Sequence, residues 1–334
     1  MEELYVIKHN KLYGYMNSEG KEIIECKFDE AEDFIDEFAI IKSECGYGAI
    51  NNKGDSVIKP QYEYMERIDE KLFSYRLNGK VGIINIECNK ILEAIYDEIK
   101  PFNEGLALVK VNYKWGYINQ NGGEVIKPTF IDAYDFSDGM ALIQTGGKLG
   151  YIDKSGEIVV NPVYDYAGNF KEGLAAVAIG SKYGYINKDE KVVISGKFYI
   201  AKDFSEGLAS VEKGGKSGYI DNTGKFLIKP EFDTAEEFIN GMAVVSKDDK
   251  YGYIDKNGDV VVELKYDDVD YVSENIVGVM VDEKWGYIDL QGNWIIEPKF
   301  DEAYSFYNGI ARVQLGTKIG YINKEGKFVH ELQK

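Results

Sequence analysis

The sequence predicts a mainly β, tandem-repeat fold, and three observations carry that expectation. A glycine recurs ten times at an unbroken spacing of 34 residues: Gly14, Gly48, Gly82, Gly116, Gly150, Gly184, Gly218, Gly252, Gly286 and Gly320. Around each one, short runs of Val, Ile, Tyr and Phe alternate with Gly, Asn, Asp and Pro, the punctuation of strands and tight turns. No linker or low-complexity stretch interrupts the series, so the chain reads as one continuous array, residues 1–334. A helix-pair repeat shares this period, but glycine costs roughly 1 kcal/mol and proline about 3 kcal/mol inside a helix, which excludes long helices here.

Each copy follows one order. The anchor glycine is followed by Tyr in eight copies, by Ile in nine, and then by Asn or Asp in all ten. A second glycine three residues further on, as at Gly20, Gly156 and Gly258, completes the signature of a strand entering a hairpin. An apolar pair such as Val159-Val160 follows, then commonly Pro60, Pro128, Pro162, Pro230 or Pro298, and an aromatic two residues on. That stretch predicts a second strand ended by a residue with no N–H to donate. The connector, as at Asp233-Thr-Ala235-Glu-Glu-Phe238-Ile-Asn-Gly241, changes period. Asp in a cap position, Ala and Phe three apart, and a terminal Gly predict a short helical turn. Leu-Ala-x-Val, as at Leu174–Val177, supplies a third strand leading to the next anchor.

Lys114-Trp-Gly-Tyr-Ile-Asn119, Lys284-Trp-Gly-Tyr-Ile-Asp289 and the run from Phe232 to Val245 resemble the WG-repeat (KWG-repeat) family of bacterial β-repeat proteins over essentially the whole chain. The resemblance implies an interaction or binding module. The expected architecture is ten three-stranded sheets with nine helical connectors. No sheet is split between the termini, as propellers commonly arrange, so the expectation is an open spiral, with a closed propeller-like ring as the alternative.

The formal net charge of −18 argues against nucleic acid and anionic membranes, which require a positive footprint; it reads first as solubility of a long surface, with recruitment of a basic protein partner as the alternative. No apolar run is long enough to span a bilayer, and the N-terminus lacks the pattern of a secretory signal. Cys26, Cys45 and Cys88 fall at different phases of the repeat, which suits a reducing cytoplasm rather than a disulfide framework. Removal of a leader would instead place the protein at the cell surface.

No catalytic, cofactor-binding or metal-binding residue stands out. His9 and His330 lie near opposite ends, without a nucleophile nearby in sequence. The Asp153–Gly156 and Asp255–Gly258 turns read as hairpins rather than calcium loops, which need several converging oxygens. Adjacent acids such as Glu236-Glu237 read as a solvated connector face. The repeated Tyr reads as core; exposed, it would form an aromatic ladder able to stack on sugars. The expected function is therefore a non-enzymatic scaffold for protein–protein interaction, its partner-binding residues not identified, with carbohydrate or cell-wall binding as the alternative. Copies that break the pattern, at Cys88, at Arg67–Phe73, at Asp267–Asn275 and at Lys188–Lys191, are the places to look for specialisation.

Overall fold

The structure, a computed structural model, describes residues 3–332; Met1 and Glu2, part of the N-terminal stretch read above, lie outside them. Among the described residues every regular element is a strand. Ten antiparallel sheets follow one another along the chain, nine with four strands and the first with three. The sixth shows the pattern: a connector strand Tyr166–Ala167, a Leu-Ala-x-Val strand Leu174–Ile179, an anchor strand Lys182–Asn187 and an edge strand Val192–Phe198, paired in that order. The chain divides into two compact units, residues 1–99 with 267–334, and residues 100–266.

The expected hairpin turn forms. Asp153 accepts the N–H groups of Ser155 at 2.9 Å and Glu157 at 3.1 Å on one carboxylate oxygen. Asn51, Asn187, Asp221, Asp255 and Asp289 do the same two and four residues on. The side-chain oxygen thus holds its own turn.

Two local expectations are corrected. Proline does not end the second strand: Ser56–Tyr62 runs through Pro60, and the ladder shifts register between Tyr47↔Tyr62 and Ala49↔Ile58. The proline sits in a bulge, where a missing N–H costs no ladder bond. The close approach of the edge strand, bulged opposite nine of the ten anchors, also explains the 34-residue ruler. A Cβ on Gly48 would stand 2.5 Å from the Ile58 carbonyl oxygen and 2.7 Å from the Pro60 nitrogen, and all ten anchors meet the backbone of their own edge strand in this way.

The connector is not a helical turn. Ala167 pairs with Val177 and Ala235 with Val245, making a two-residue strand on the sheet edge. The terminal Gly is a hairpin glycine rather than a helix cap: Glu172 at φ 52° and Gly173 at φ 81° are both left-handed, as a type I′ turn requires. Ala and Phe three apart share a buried direction because the chain turns after the Ala, not because it coils.

The core lies between successive sheets. Tyr151, Val160 and Tyr164 of the fifth sheet pack with Ala167, Phe170, Ala175, Val177 and Ile186 of the sixth. The open spiral is corrected within the first unit, because the two ends of the array meet. Tyr5, Ile7 and Met16 of the first sheet share a core with Ile310 and Tyr321 of the tenth, and a Cβ on Gly20 would lie 2.2 Å from the Val329 carbonyl oxygen. At the corresponding place one repeat on, a Cβ on Gly54 would lie 3.2 Å from a side-chain carbon of Ile24 on the preceding sheet's edge strand. First and last repeats therefore pack as neighbours, as in the propeller-like alternative. No blade has to be split for this, because each connector already belongs to the sheet that follows it.

Candidate interaction surface

The chemistry that recurs in every copy is spent on packing. The Tyr after the anchor is buried and donates its hydroxyl to a connector carbonyl seventeen residues on: Tyr117 to Tyr134 at 2.7 Å, Tyr185 to Lys202 at 2.8 Å, Tyr219 to Glu236 at 2.7 Å. The connector Phe meets the same ring edge-on, as in Tyr151–Phe170 with centroids 4.7 Å apart. Burial pushes these phenols above their usual range, with nearby acids adding to the effect. The anchor Tyr is thus core, and the ladder able to stack on sugars does not form from these residues.

The acids read as helix caps close hairpins instead. Asp233 binds the Lys216 ammonium and accepts the Asp248 N–H at 2.7 Å. Asp165 does the same with Lys148 and Gly180, and Asp301 with Lys284 and Gly316. These hydrogen bonds hold the carboxyls below the usual carboxylate range. A second set, missed in the sequence, ties one sheet to the next. Glu104, Asp138, Glu172 and Glu206 each accept the N–H of a glycine 35 residues on, at 3.0, 2.6, 3.0 and 3.0 Å. Lys154, Lys188 and Lys256 bind three of these acids from 50 residues on. The recurring acid–Lys offset was the available signal, hidden because its two members lie in successive sheets rather than within one copy.

Departures from the pattern are mostly repacked. In the third sheet Met65, Ile68, Phe73 and Tyr75 are all buried and replace the missing Tyr–Phe pair. Arg67 donates to the carbonyls of Ile35 and Phe38, both at 3.0 Å. Cys88 and Glu190 take the turn glycine's left-handed conformation, at φ 63° and 60°. At the connector of residues 267–275, Tyr271 is exposed. Trp115 and Trp285 are half-buried, with Lys110 lying 4.8 Å from the Trp115 ring centre.

Asp203 is half-buried; burial, reinforced by Glu237 and opposed by Lys171 and a backbone hydrogen bond from Asn169, lifts its carboxyl to about 6. At the junction of first and last sheets, burial holds His330 below the usual histidine range, with Glu22 opposing and His9 reinforcing. Among the described residues no group of three or more His, Cys, Asp or Glu side chains is arranged to hold a metal, and no helix is long and apolar enough to cross a membrane.

What is exposed and apolar concentrates on edge strands of the second unit. Ile158 and Val159, Val192 and Val193, Leu227, and Val260 stand at equivalent positions of four consecutive repeats. The same two positions read Glu22-Ile23, Ser56-Val57 and Lys90-Ile91 in the first three copies. The first position thus varies between copies, whereas the second is apolar in all ten and is exposed also at Ile23, Val125 and Ile295.

A family model described as WG containing repeat matches nine tandem stretches, residues 13–44, 47–80, 82–115, 115–148, 150–183, 183–216, 218–251, 251–285 and 285–318. The chain belongs to the WG-repeat family. No curated protein matches the WG-repeat chain in sequence. Among solved structures it is similar to one titled "Crystal structure of the eukaryotic initiation factor", at 11% identity, covering 100% of this chain and 98% of that one with a TM-score of 0.56. That likeness extends to the fold alone. BamB from Moraxella catarrhalis, at 11% identity over 75% and 90% of the two chains, reaches a TM-score of 0.40. Hsv2p from Kluyveromyces lactis, at 10% identity over 73% and 88%, reaches 0.36.

Proposed function

We propose that this WG-repeat chain is a non-enzymatic, cytoplasmic scaffold that binds a partner protein across several neighbouring repeats. The observation that supports this most is the apolar stripe on the edge strands of Ile158, Val192, Leu227 and Val260. Val192 is 68% exposed and Ile158 53%, and large apolar side chains held in water at the same place in successive repeats favour a contact role. The anchor Gly, the Tyr after it and the turn residues are committed to packing and turn closure, so recognition falls to exposed positions such as those of the edge strands. The net charge of −18 steers a basic partner toward the array. Three free thiols, two of them exposed, suit a reducing compartment.

The test is capture from lysate and cell-wall fractions of the source organism, comparing the unaltered chain with a Val192→Asp, Leu227→Asp variant. Both side chains are exposed, so the fold tolerates the change. The reading expects proteins held by the unaltered chain and released by the variant. Retention on purified wall glycan by both, with no protein enriched, would replace this reading with carbohydrate binding.

A further inference from the structure

The sixth repeat departs from its neighbours at two adjoining positions. Pro60, Pro128, Pro162, Pro230 and Pro298 hold one place in the edge strand, and the sixth copy has Gly196 there. Its backbone follows theirs: a Cβ on the anchor Gly184 would stand 2.8 Å from the Gly196 nitrogen, against 2.6 Å from the Pro162 nitrogen for Gly150. The ring is missing while the strand keeps its path. The second departure is the connector acid. Lys80, Lys148, Lys216 and Lys284 each bind the Asp seventeen residues on; in the sixth copy that position is Tyr199. Lys182 makes no ion pair among the described residues, and its ammonium lies 3.1 Å from the centre of the Tyr199 ring. The two changes meet, since a Cβ on Gly196 would lie 3.6 Å from the Lys182 Cβ.

A cavity of about 260 Å³ opens beside them. Lys182, Gly184 and Gly196 form one part of its wall, and Tyr164, Val177 and Ile194 belong to the apolar remainder. Tyr164 ends the edge strand of the fifth sheet and the others stand on the sixth, so the cavity lies between successive sheets of the second unit. Ile179 and Val192 also border it and are 67% and 68% exposed, which places them at its mouth. A dry apolar cavity of about 150 Å³ already admits a benzene ring, so this one has room for a Leu or Phe side chain with a carboxylate beside it.

We propose that this cavity receives the C-terminal residue of a partner protein, that residue being Leu, Phe or another large apolar one. The side chain fills the space beside Gly196, and the chain-end carboxylate pairs with the Lys182 ammonium that no aspartate holds. Asp and Glu carry a carboxylate without the apolar group, whereas an apolar chain end supplies both within one residue. A free acid of that size would leave Ile179 and Val192 in water; the preceding residues of a chain cover them. Capture of a chain-end carboxylate is a recurrent mode of peptide recognition. Glu190, whose charge reaches the Tyr164 phenol, opposes the incoming carboxylate. Val192 belongs both to the cavity and to the apolar stripe, so this assignment rests on the stripe's being a protein-contact surface and names the group anchored there.

The probe is the peptide Ser-Val-Ser-Val ending in para-fluorophenylalanine with a free carboxylate, its fluorine resonance followed by NMR as the whole chain is added. A shift and broadening that saturate are expected. The same peptide with an amidated end should bind about fivefold more weakly, and Lys182→Met should erase that difference. Gly196→Pro restores the residue of the five sibling copies and fills the cavity, so binding is lost while melting holds or rises. Glu190→Gln should tighten binding. Leu227→Asp alters the stripe outside the cavity and should leave the peptide bound. No binding by the free-carboxylate peptide, equal binding by the amide, or full binding by a folded Gly196→Pro protein would overturn the cavity assignment. So would para-fluorophenylpropanoate binding as tightly as the peptide, since a free acid would then be the occupant. Partner protein captured by Gly196→Pro as well as by the unaltered chain, but released by Leu227→Asp, would remove the cavity's role and leave the stripe's in place. No protein captured by either would remove both.

Discussion

Gly184→Ala adds one carbon, and the structure says where it goes. The new Cβ would stand 2.4 Å from the Ile194 carbonyl oxygen, 2.8 Å from the Gly196 nitrogen and 2.9 Å from the Ser195 carbonyl carbon. All three are backbone atoms of the bulged edge strand, so no side chain can swing away and the two strands must separate. Overpacking of this kind costs about 3 kcal/mol. Gly207→Ala makes the same chemical change where nothing lies within 4 Å, but at φ +87°, so only the left-handed backbone penalty of about 1–2 kcal/mol applies. With about 2.1 cal/mol/K of unfolding entropy per residue over 334 residues, the expected falls in Tm are about 4 °C and about 2 °C. Differential scanning calorimetry reads both. Gly184→Ala melting within a degree of the unaltered chain, or less affected than Gly207→Ala, would refute the close-approach explanation of the ruler.

Other expectations follow from the same packing. Tyr219→Phe deletes the 2.7 Å bond to the Glu236 carbonyl and should cost about 1 kcal/mol, against about 3–5 kcal/mol for Phe238→Ala, which empties the ring facing it; thermal melts separate the two. Asp203 has a folded pKa of about 6, raised from 3.8. The folded state therefore holds its proton more tightly, and this group's contribution falls as pH rises from about 4 through about 6. Asp203→Asn should flatten that stretch of the stability–pH curve and raise Tm at pH 8. Lys216→Met breaks the exposed pair with Asp233, and because both groups are well solvated the loss should stay under about 1 kcal/mol and shrink further in high salt.

How the chain is divided, and which residues turn it, are written locally. Asn51 or Asp153 closing its own hairpin needs only residues within four positions, so composition and spacing suffice to read it. Family membership was equally legible, because Lys-Trp-Gly-Tyr-Ile recurs in place. The connector was misread because Ala235 and Phe238, three apart, satisfy a helical face and a turned strand alike. Only the neighbouring Val245, ten residues beyond Ala235, selects the strand. The acid–glycine clamps, such as Glu172 on Gly207, join different repeats, and so do not show within a single copy.

Sequence by itself determined the repeat, its length and the residues that each copy must bury, since those follow from turn chemistry and from the clash a Cβ would make beside a bulge. Tertiary structure decided that the connector strand belongs to the sheet after it, that the acid–glycine clamps join successive sheets, and that Tyr5 and Tyr321 meet across the ends of the array. Those outcomes depend on the small rotation from one sheet to the next, a sum of packing contacts over many repeats that no local pattern records.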